Sequence, residues 1–496
     1  MSVTDQRVHH QVLAGSVSNL LLFVGNLAVT FFLAPFLIAH LGDASYGHWA
    51  LVESLTAYFT LLDLGISSCL VRFIAARPSS EWPRYTTTAF RTLAIVAGVG
   101  LAVVLPLGFL SSHPLFFILC MVPVATGLPM GVYPAVLDGM QATVLKSLLR
   151  LGLLLAKTVS LVVVIRNQPT LNCLGVVLGV FTLLEQVLLY GIVRKVQASL
   201  SSERSPSVTG WNRAAFREML SLSKQAFVIL LSGRMAVQSG PILIGLMLNA
   251  PHVAFYAIAF RLVDTGKSAL RTATSTLTAA FGTFSTRSNL KPIQTLYRYA
   301  TRWTLYAVIP MQIGIWFWGE WFLRCWLPEG EYARQGGPVL CVLALSLTMS
   351  LAQSLAARIL YGLGDLSFFA RVSMLEAITG VLLALILIPS FGLVGLGVAI
   401  TLPNLLADFW VLHYTHRRIE LPFRDYLQEW IPPYLCGLSL NFFWTALLML
   451  RLPIGNFYIV LSGVLVYGLC VLIVEGRVFE RQSVRSRIIR RLPVAE

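Results

Sequence analysis

The sequence predicts an all-α integral membrane protein: about fourteen transmembrane helices, forming two six-helix bundles related by a parallel repeat, plus two extra C-terminal helices. Three observations carry this prediction. Of 496 residues, 56 % are hydrophobic and 12 % charged, with a mean hydropathy of +0.75, whereas soluble domains are about a quarter charged. The apolar residues are gathered into long runs with short polar stretches between them, and Lys and Arg crowd onto alternate stretches. This balance excludes a soluble globular enzyme and a disordered chain. It also excludes a nucleic-acid binder despite the net charge of +15, because the 37 basic residues are spread through short loops rather than clustered.

A bilayer core about 30 Å thick takes about 20 apolar residues, and lipid tolerates only backbones whose hydrogen bonds close internally. The runs near 12–38, 47–71, 88–110, 115–138, 147–165, 171–193, 223–247, 254–280, 303–325, 338–361, 368–389, 391–412, 430–450 and 455–474 therefore read as helices one to fourteen. The first is too long for a signal-peptide core and no small-residue cleavage site follows it, so it is expected to persist as a helix. Taking the N-terminus, every second loop and the tail as one side places 27 Lys and Arg there, against Arg166, Arg334 and Arg451 on the other. The positive-inside rule then puts both termini in the cytoplasm. Seven cysteines lie in or beside apolar runs without a CxxC pair, which predicts neither a disulfide framework nor a metal cage.

The repeat rests on a junction recurring at a spacing of 207 residues, Leu41-Gly-Asp-Ala-Ser-Tyr-Gly-His-Trp49-Ala-Leu51 against Leu248-Asn-Ala-Pro-His-Val-Ala-Phe-Tyr256-Ala-Ile258. Six helices separate the copies, an even number, so the repeat is parallel, with a pseudo-two-fold along the membrane normal and a cleft between bundles. Each half carries an intramembrane proline before its junction, Pro35 and Pro241. Such prolines either bend a helix at a transport site or simply punctuate its end. The predicted domains are an N-terminal bundle at 1–196, a cytoplasmic linker with an interfacial helix at 197–222, a C-terminal bundle at 223–415, and helices thirteen and fourteen with a basic tail at 416–496. Within the linker, Phe216, Met219 and Leu220 oppose Arg213 and Arg217, which reads as a helix lying in the membrane surface.

Enzymatic chemistry is not expected. The outer loops are short, and the most substantial, Leu327 to Gly337, carries only Glu329 and Glu331 as potential acid and base. Gly266-Lys267-Ser268 mimics the end of a phosphate-binding loop, but the glycine required five residues earlier is Arg261. No HExxH, calcium-loop or Ser-His-Asp pattern is present, and no catalytic residue, metal or cofactor is assigned.

The informative residues are cations within the spans, where a charge at mid-bilayer costs about 2.5–3.5 kcal/mol. Arg324 and Arg358 lie near helix ends and are expected to snorkel. Arg234 sits in the middle of helix seven, and helix eight carries Arg261, Asp264, Lys267 and Arg271 on one face. Its three cations form a ladder spanning about 15 Å of depth. One reading is a wet cationic cleft for a phosphate or diphosphate, built from Arg234, Arg261, Lys267 and Arg271 with Lys157 of helix five on its opposite wall. The other is internal neutralisation, with Asp264 pairing Arg261 or Lys267 and Glu185, Glu376 or Asp408 serving the rest. Glu53 of helix two, like Asp264, is a candidate for ion coupling or a hydrogen-bonded structural carboxyl.

Leading into and along helix two run Leu41-Gly-x-x-x-Tyr46-Gly-x-Trp49-Ala-Leu and Asp63-Leu-Gly65-Ile, with Arg72 at its cytoplasmic end. This stretch, Phe32 to Ala75, resembles bacterial polysaccharide-transporter proteins, lipid-linked oligosaccharide flippases of the multidrug, oligosaccharidyl-lipid and polysaccharide exporter superfamily. The resemblance marks Asp63, Gly65 and Arg72 as motif residues. It implies a bacterial inner-membrane protein that moves an undecaprenyl-diphosphate-linked glycan between leaflets by alternating access, for cell-surface polysaccharide biosynthesis. The partners implied are the lipid-linked oligosaccharide, membrane lipids and polysaccharide-assembly proteins. Three other readings stay open: a drug/cation antiporter of the same superfamily, a membrane glycan polymerase or ligase, and an inactive scaffold.

Overall fold

The computed structural model describes residues 3–200, 210–274, 277, 281, 290–327, 330–449, 467 and 471, and all regular structure among them is helical. In chain order the helices are α1 (Val3–Leu41), α2 (Asp43–Phe59), α3 (Ile66–Ala76), α4 (Trp82–Phe109), α5 (Pro114–Met130), α6 (Val132–Gly139), α7 (Thr143–Asn167) and α8 (Leu171–Leu200). They continue with α9 (Arg213–Met247), α10 (Ala250–Ala273), α11 (Lys291–Trp326), α12 (Gly337–Ala344), α13 (Leu347–Leu363), α14 (Leu366–Arg418), α15 (Phe423–Gln428) and α16 (Ile431–Met449). The predicted fourteenth run apart from Tyr467 and Val471, the tail arginines from Arg477 onward, Cys470, Glu329 and linker residues 201–209 lie outside the described residues.

Six of these helices are long and apolar enough to cross a membrane, and nine segments are if each of three bent pairs counts as one span. Fourteen is therefore not reached among the described residues. Helix α10, which carries four charges, is not among the six, and α14 covers two predicted runs at once. Its break is Gly392, whose φ of 57° and ψ of −135° are open to glycine and strained for any other residue.

The predicted single helix at 47–71 is broken into α2 and α3, bent by 46°. A 3₁₀ turn, Thr60–Asp63, leads into two left-handed residues, Leu64 and Gly65, with φ of 53° and 75°. Asp63 stabilises the restart by accepting from the Ser67 backbone N–H at 3.3 Å and from its hydroxyl at 2.7 Å. The run at 115–138 likewise bends by 43° between α5 and α6, and that at 338–361 by 41° between α12 and α13.

The chain forms two compact units. The first comprises Met1–Arg261, Arg324–Gly336 and Ala370–Pro403; the second comprises Leu262–Leu323, Gly337–Phe369 and Asn404–Glu496. The first has a core of Ile66, Leu70, Phe73, Tyr85, Leu93, Val136 and Met219. The second gathers Phe281, Tyr297, Leu355, Ile359, Leu412 and Tyr426. Met219 and Ala215, both buried, correct one expectation: Trp211–Leu222 is not a separate surface helix but opens α9, packed in the core and continuous with the span that follows. The Asn212 side chain caps it by accepting from Ala215 N–H at 3.0 Å, and no proline or glycine interrupts it before Gly233.

Candidate functional site

In the first unit, the site begins on α2. Trp49 and Glu53 are one helical turn apart and so share a face, and both meet Arg261. The Glu53 carboxylate pairs with the Arg261 guanidinium, whose centre lies 4.9 Å from the centroid of the Trp49 ring. Alongside, the Tyr58 hydroxyl hydrogen-bonds Ser239 of α9. The close approach depends on Gly47, because a β-carbon there would sit 1.8 Å from the Ala250 carbonyl oxygen. Arg234, on the same α9, is exposed and has no hydrogen bond or ion pair among the described residues. Helices α9 and α14 leave a cleft of about 340 Å³, including its open mouth, lined in part by Met235, Ser239, Gly240, Glu376 and Gly380.

In the second unit, Lys267 of α10 places its ammonium 3.4 Å from the hydroxyls of both Ser346 and Ser350. The Ser350 hydroxyl in turn lies 2.7 Å from Asn404 Oδ1 and 2.8 Å from Asp408 Oδ2, within reach of either acceptor. Asp408 is buried. Two hydroxyls thus meet the half-buried ammonium, and through Ser350 an amide oxygen and a buried carboxylate stand behind them. The Arg271 side chain is exposed, while its carbonyl accepts from Arg358 Nη2 at 2.6 Å.

The predicted cations are therefore not equivalent. Arg261 and Lys267 each have a polar environment built for them, whereas Arg234 and the half-buried Lys157 have no hydrogen bond or ion pair among the described residues. The neutralising pairs also differ from expectation. Asp264 forms no ion pair among the described residues, Glu185 takes Arg150 at 2.8 Å, and Arg261 takes Glu53. Arg72 is exposed. Gly65 approaches α9, where a β-carbon would lie 3.4 Å from Ser223 Cβ. Pro35 and Pro241 both lie inside helices, α1 and α9, so neither is helix-end punctuation.

Sequence reasoning named Trp49 as a motif residue but not as a neighbour of Arg261, and it missed the Ser346, Ser350, Asn404 group. A signal was there: Trp49/Glu53, Ser346/Ser350 and Asn404/Asp408 are each spaced by four, which puts a polar or amphipathic pair on one face of an apolar helix. Outside the spans, Arg77 donates to Glu81 at 2.8 Å and to Glu218 at 2.6 Å. The Glu81 hydrogen bond is the largest influence holding its pKa above the usual arginine value. Among the described residues no three His, Cys, Asp or Glu side chains come together as a metal-ligand set.

Residues 39–329, more than half of the chain, match the family model described as polysaccharide biosynthesis protein. A curated relative, the probable low-salt glycan biosynthesis flippase Agl15 of Haloferax volcanii, is 23 % identical over 313 residues, 62 % of this chain. The chain spans 65 % of that relative's length. Among solved structures, the lipid II flippase MurJ in an inward closed conformation is similar with a TM-score of 0.73 at 13 % identity, over 94 % of this chain and all of that one. An inward-facing multidrug resistance MATE family transporter of the MOP superfamily scores 0.61 at 15 % identity, over 80 % and 94 % of the two chains. A mutant of the Vibrio cholerae MATE transporter VcmN scores 0.60 at 14 % identity, over 84 % and 98 %. At these identities the likeness is one of fold. With its apolar helices, its fold and the match over residues 39–329, this chain is a multi-pass membrane protein that belongs to the polysaccharide biosynthesis protein family.

Proposed function

We propose that the protein is a non-enzymatic flippase that translocates a polyprenyl-diphosphate-linked oligosaccharide across the bacterial cytoplasmic membrane by alternating access, for cell-surface polysaccharide biosynthesis. The observation that carries this reading is Arg234. It sits eight residues into the apolar stretch Phe227–Met247, exposed and without an ion pair among the described residues, where a charge is costly unless it serves a polar substrate. In the proposal Arg234, Arg261, Lys267 and Arg271 neutralise the diphosphate as the head group crosses, with Lys157 contributing from α7, while the polyprenyl tail stays in lipid. The resemblance of the 32–75 motif, the flippase named among the curated relatives and the fold shared with a lipid II flippase all support it.

The same proposal keeps both termini cytoplasmic, from the charge bias of the loops, and the two six-helix halves at 1–196 and 223–415 as the moving parts. Glu53 and Asp264 are its candidates for ion coupling, Glu53 through its pairing with Arg261. A drug/cation antiporter fits less well, because its cavity is served by acidic groups, and the basic ladder of α10 argues against that.

The test is the carrier-linked oligosaccharide in lipid extracts of a deletion strain, read together with surface polysaccharide. Deletion is expected to accumulate the intact linked unit and abolish surface glycan. Arg234→Ala, produced at wild-type levels, is expected to restore export no better than about one tenth of wild type, the loss of a charge-assisted contact. Full export by Arg234→Ala removes the cationic assignment, and normal linked-unit levels in the deletion strain remove the flippase reading.

A further inference from the structure

Proline at position 35 has no N–H to donate, so the Phe31 carbonyl, four residues earlier in α1, loses its helical hydrogen-bond donor. A backbone carbonyl at membrane depth must be satisfied by some other protein group or by water. Here the donor comes from far along the chain. Trp326, the last residue of α11, donates its indole N–H to the Phe31 oxygen at 3.1 Å. Its ring stacks on the Phe31 ring, with centroids 5.1 Å apart and planes 21° from parallel.

Six residues later the same segment makes a second tie. The Tyr332 side chain is buried, its hydroxyl donates to Asp43 Oδ1 at 2.6 Å, and its ring meets Phe255 of α10 edge-on at 4.9 Å. Asp43 opens α2 just after the corner at Gly42, whose φ is +78°. Segment Arg324–Gly336 thus packs within the first unit and engages α1, α2 and α10 at the end of the fold that the loop charges assign to the outside.

We infer that Trp326 and Tyr332 form a latch that keeps the outer end of the first unit closed, and that Pro35 is what makes this latch reversible. With the latch shut, the half-buried indole satisfies the Phe31 carbonyl. With it open, the water that enters takes over as donor, so the carbonyl is satisfied in both states and the indole can leave. An ordinary residue at 35 would satisfy the Phe31 carbonyl within α1, so that the carbonyl would no longer depend on the indole and the tie would count for less. The inference rests on the alternating-access reading for its role in transport, but the latch itself is measured without any substrate.

The experiment uses the full-length protein in cells, with its seven native cysteines replaced by serine and Leu327→Cys introduced as reporter. Leu327 adjoins Trp326 and is 4 % exposed, so it reacts with a membrane-impermeant maleimide only when the latch opens. Trp326→Phe keeps the ring and removes the donor; Tyr332→Phe does the same for the second tie. Each is expected to raise the labelling rate about fivefold, the loss of one hydrogen bond. Pro35→Ala supplies the missing N–H, so adding Trp326→Phe to it is expected to change the rate by less than about twofold. Unchanged labelling in both Phe variants overturns the latch. A full fivefold effect of Trp326→Phe in the Pro35→Ala background overturns the role of the proline. Labelling confined to inverted vesicles overturns the outward placement. None of these outcomes depends on glycan export, so the flippase reading stands or falls separately on the lipid extracts.

Discussion

Within the first unit, the basic end and the opposite end are tied by different chemistry. At the basic end, and in the second unit taken by itself, the ties are made by arginines. In the first unit Arg77 bridges Glu81 and Glu218, and Tyr85 donates to the other oxygen of Glu218 at 2.8 Å. In the second unit a single carboxylate, Glu429, only 4 % exposed, is held by both Arg298 and Arg302, and Asp365 takes Arg418 and the Tyr414 hydroxyl. At the opposite end of the first unit the ties are the Trp326 indole on a carbonyl, the Tyr332 hydroxyl on Asp43, the edge-to-face ring pair with Phe255, and Gly47 packed on backbone. The Arg334–Glu331 pair there is loose, at 3.7 Å, and solvent-exposed. The difference follows from topology. The alternation that concentrates Lys and Arg in every second loop of the sequence leaves the loops between them few guanidiniums, so the ties there rest on aromatic rings and neutral donors.

That contrast is breakable at either end, and the largest effect is expected where the charge is most buried. Glu429→Ala removes the carboxylate shared by two guanidiniums and is expected to cost about 3 kcal/mol. Thermal unfolding of the purified protein in detergent checks it, and a melting temperature within error of wild type would show that the basic end does not depend on this pair. Gly47→Ala tests the other end. Its new methyl meets a carbonyl oxygen that belongs to backbone and cannot swing away, so a loss of about 2 kcal/mol is expected, visible in the same melts as a drop that salt does not alter.

Two milder perturbations sharpen the comparison. Raising NaCl to about 1 M should screen the partly exposed Arg77 pairs. The expected readout is an Arg77→Ala destabilisation that shrinks at high salt, beside a Tyr332→Phe effect that does not. Acid should act on the opposite end through His113, whose ring lies edge-on to His48 at 4.8 Å. Burial and the neighbouring His48 hold its pKa below the ordinary 6.5. The folded state therefore resists protonation more than the unfolded chain does, so this contribution is present above pH 6.5 and fades as the pH falls below it. The smallest expected effect is that His113→Asn flattens the fall in melting temperature between about pH 7.5 and about pH 5.5; an identical fall in the variant would place the acid sensitivity elsewhere.

How far the fold could be read in advance varies with the range of the interaction. Among the described residues the apolar runs up to 450 fall on helices, whole or bent, with two runs sharing α14, because apolar length and internally closed backbone bonds are local properties. The breaks were less legible. Asp63-Leu-Gly65 stood out as a motif, yet nothing local announced that Leu64 adopts φ +53° beside Gly65. Trp211–Leu222 was misread because an amphipathic pattern is the same whether its apolar stripe meets lipid or, as Met219 does, a protein core.

The candidate site divides along the same line. Composition, spacing and helical geometry alone determined that the chain spans a membrane, that Arg234 lies in an apolar span, and that Arg261, Asp264, Lys267 and Arg271 share a face of α10. Only the tertiary structure decided their partners: Glu53, 208 residues from Arg261; Ser350, 83 residues from Lys267; and Trp326, 295 residues from the carbonyl that Pro35 releases. The physical reason is that a buried charge or a freed carbonyl dictates that it must be satisfied, but not by which group. Among several chemically adequate donors and acceptors, the packing of distant helices makes that choice.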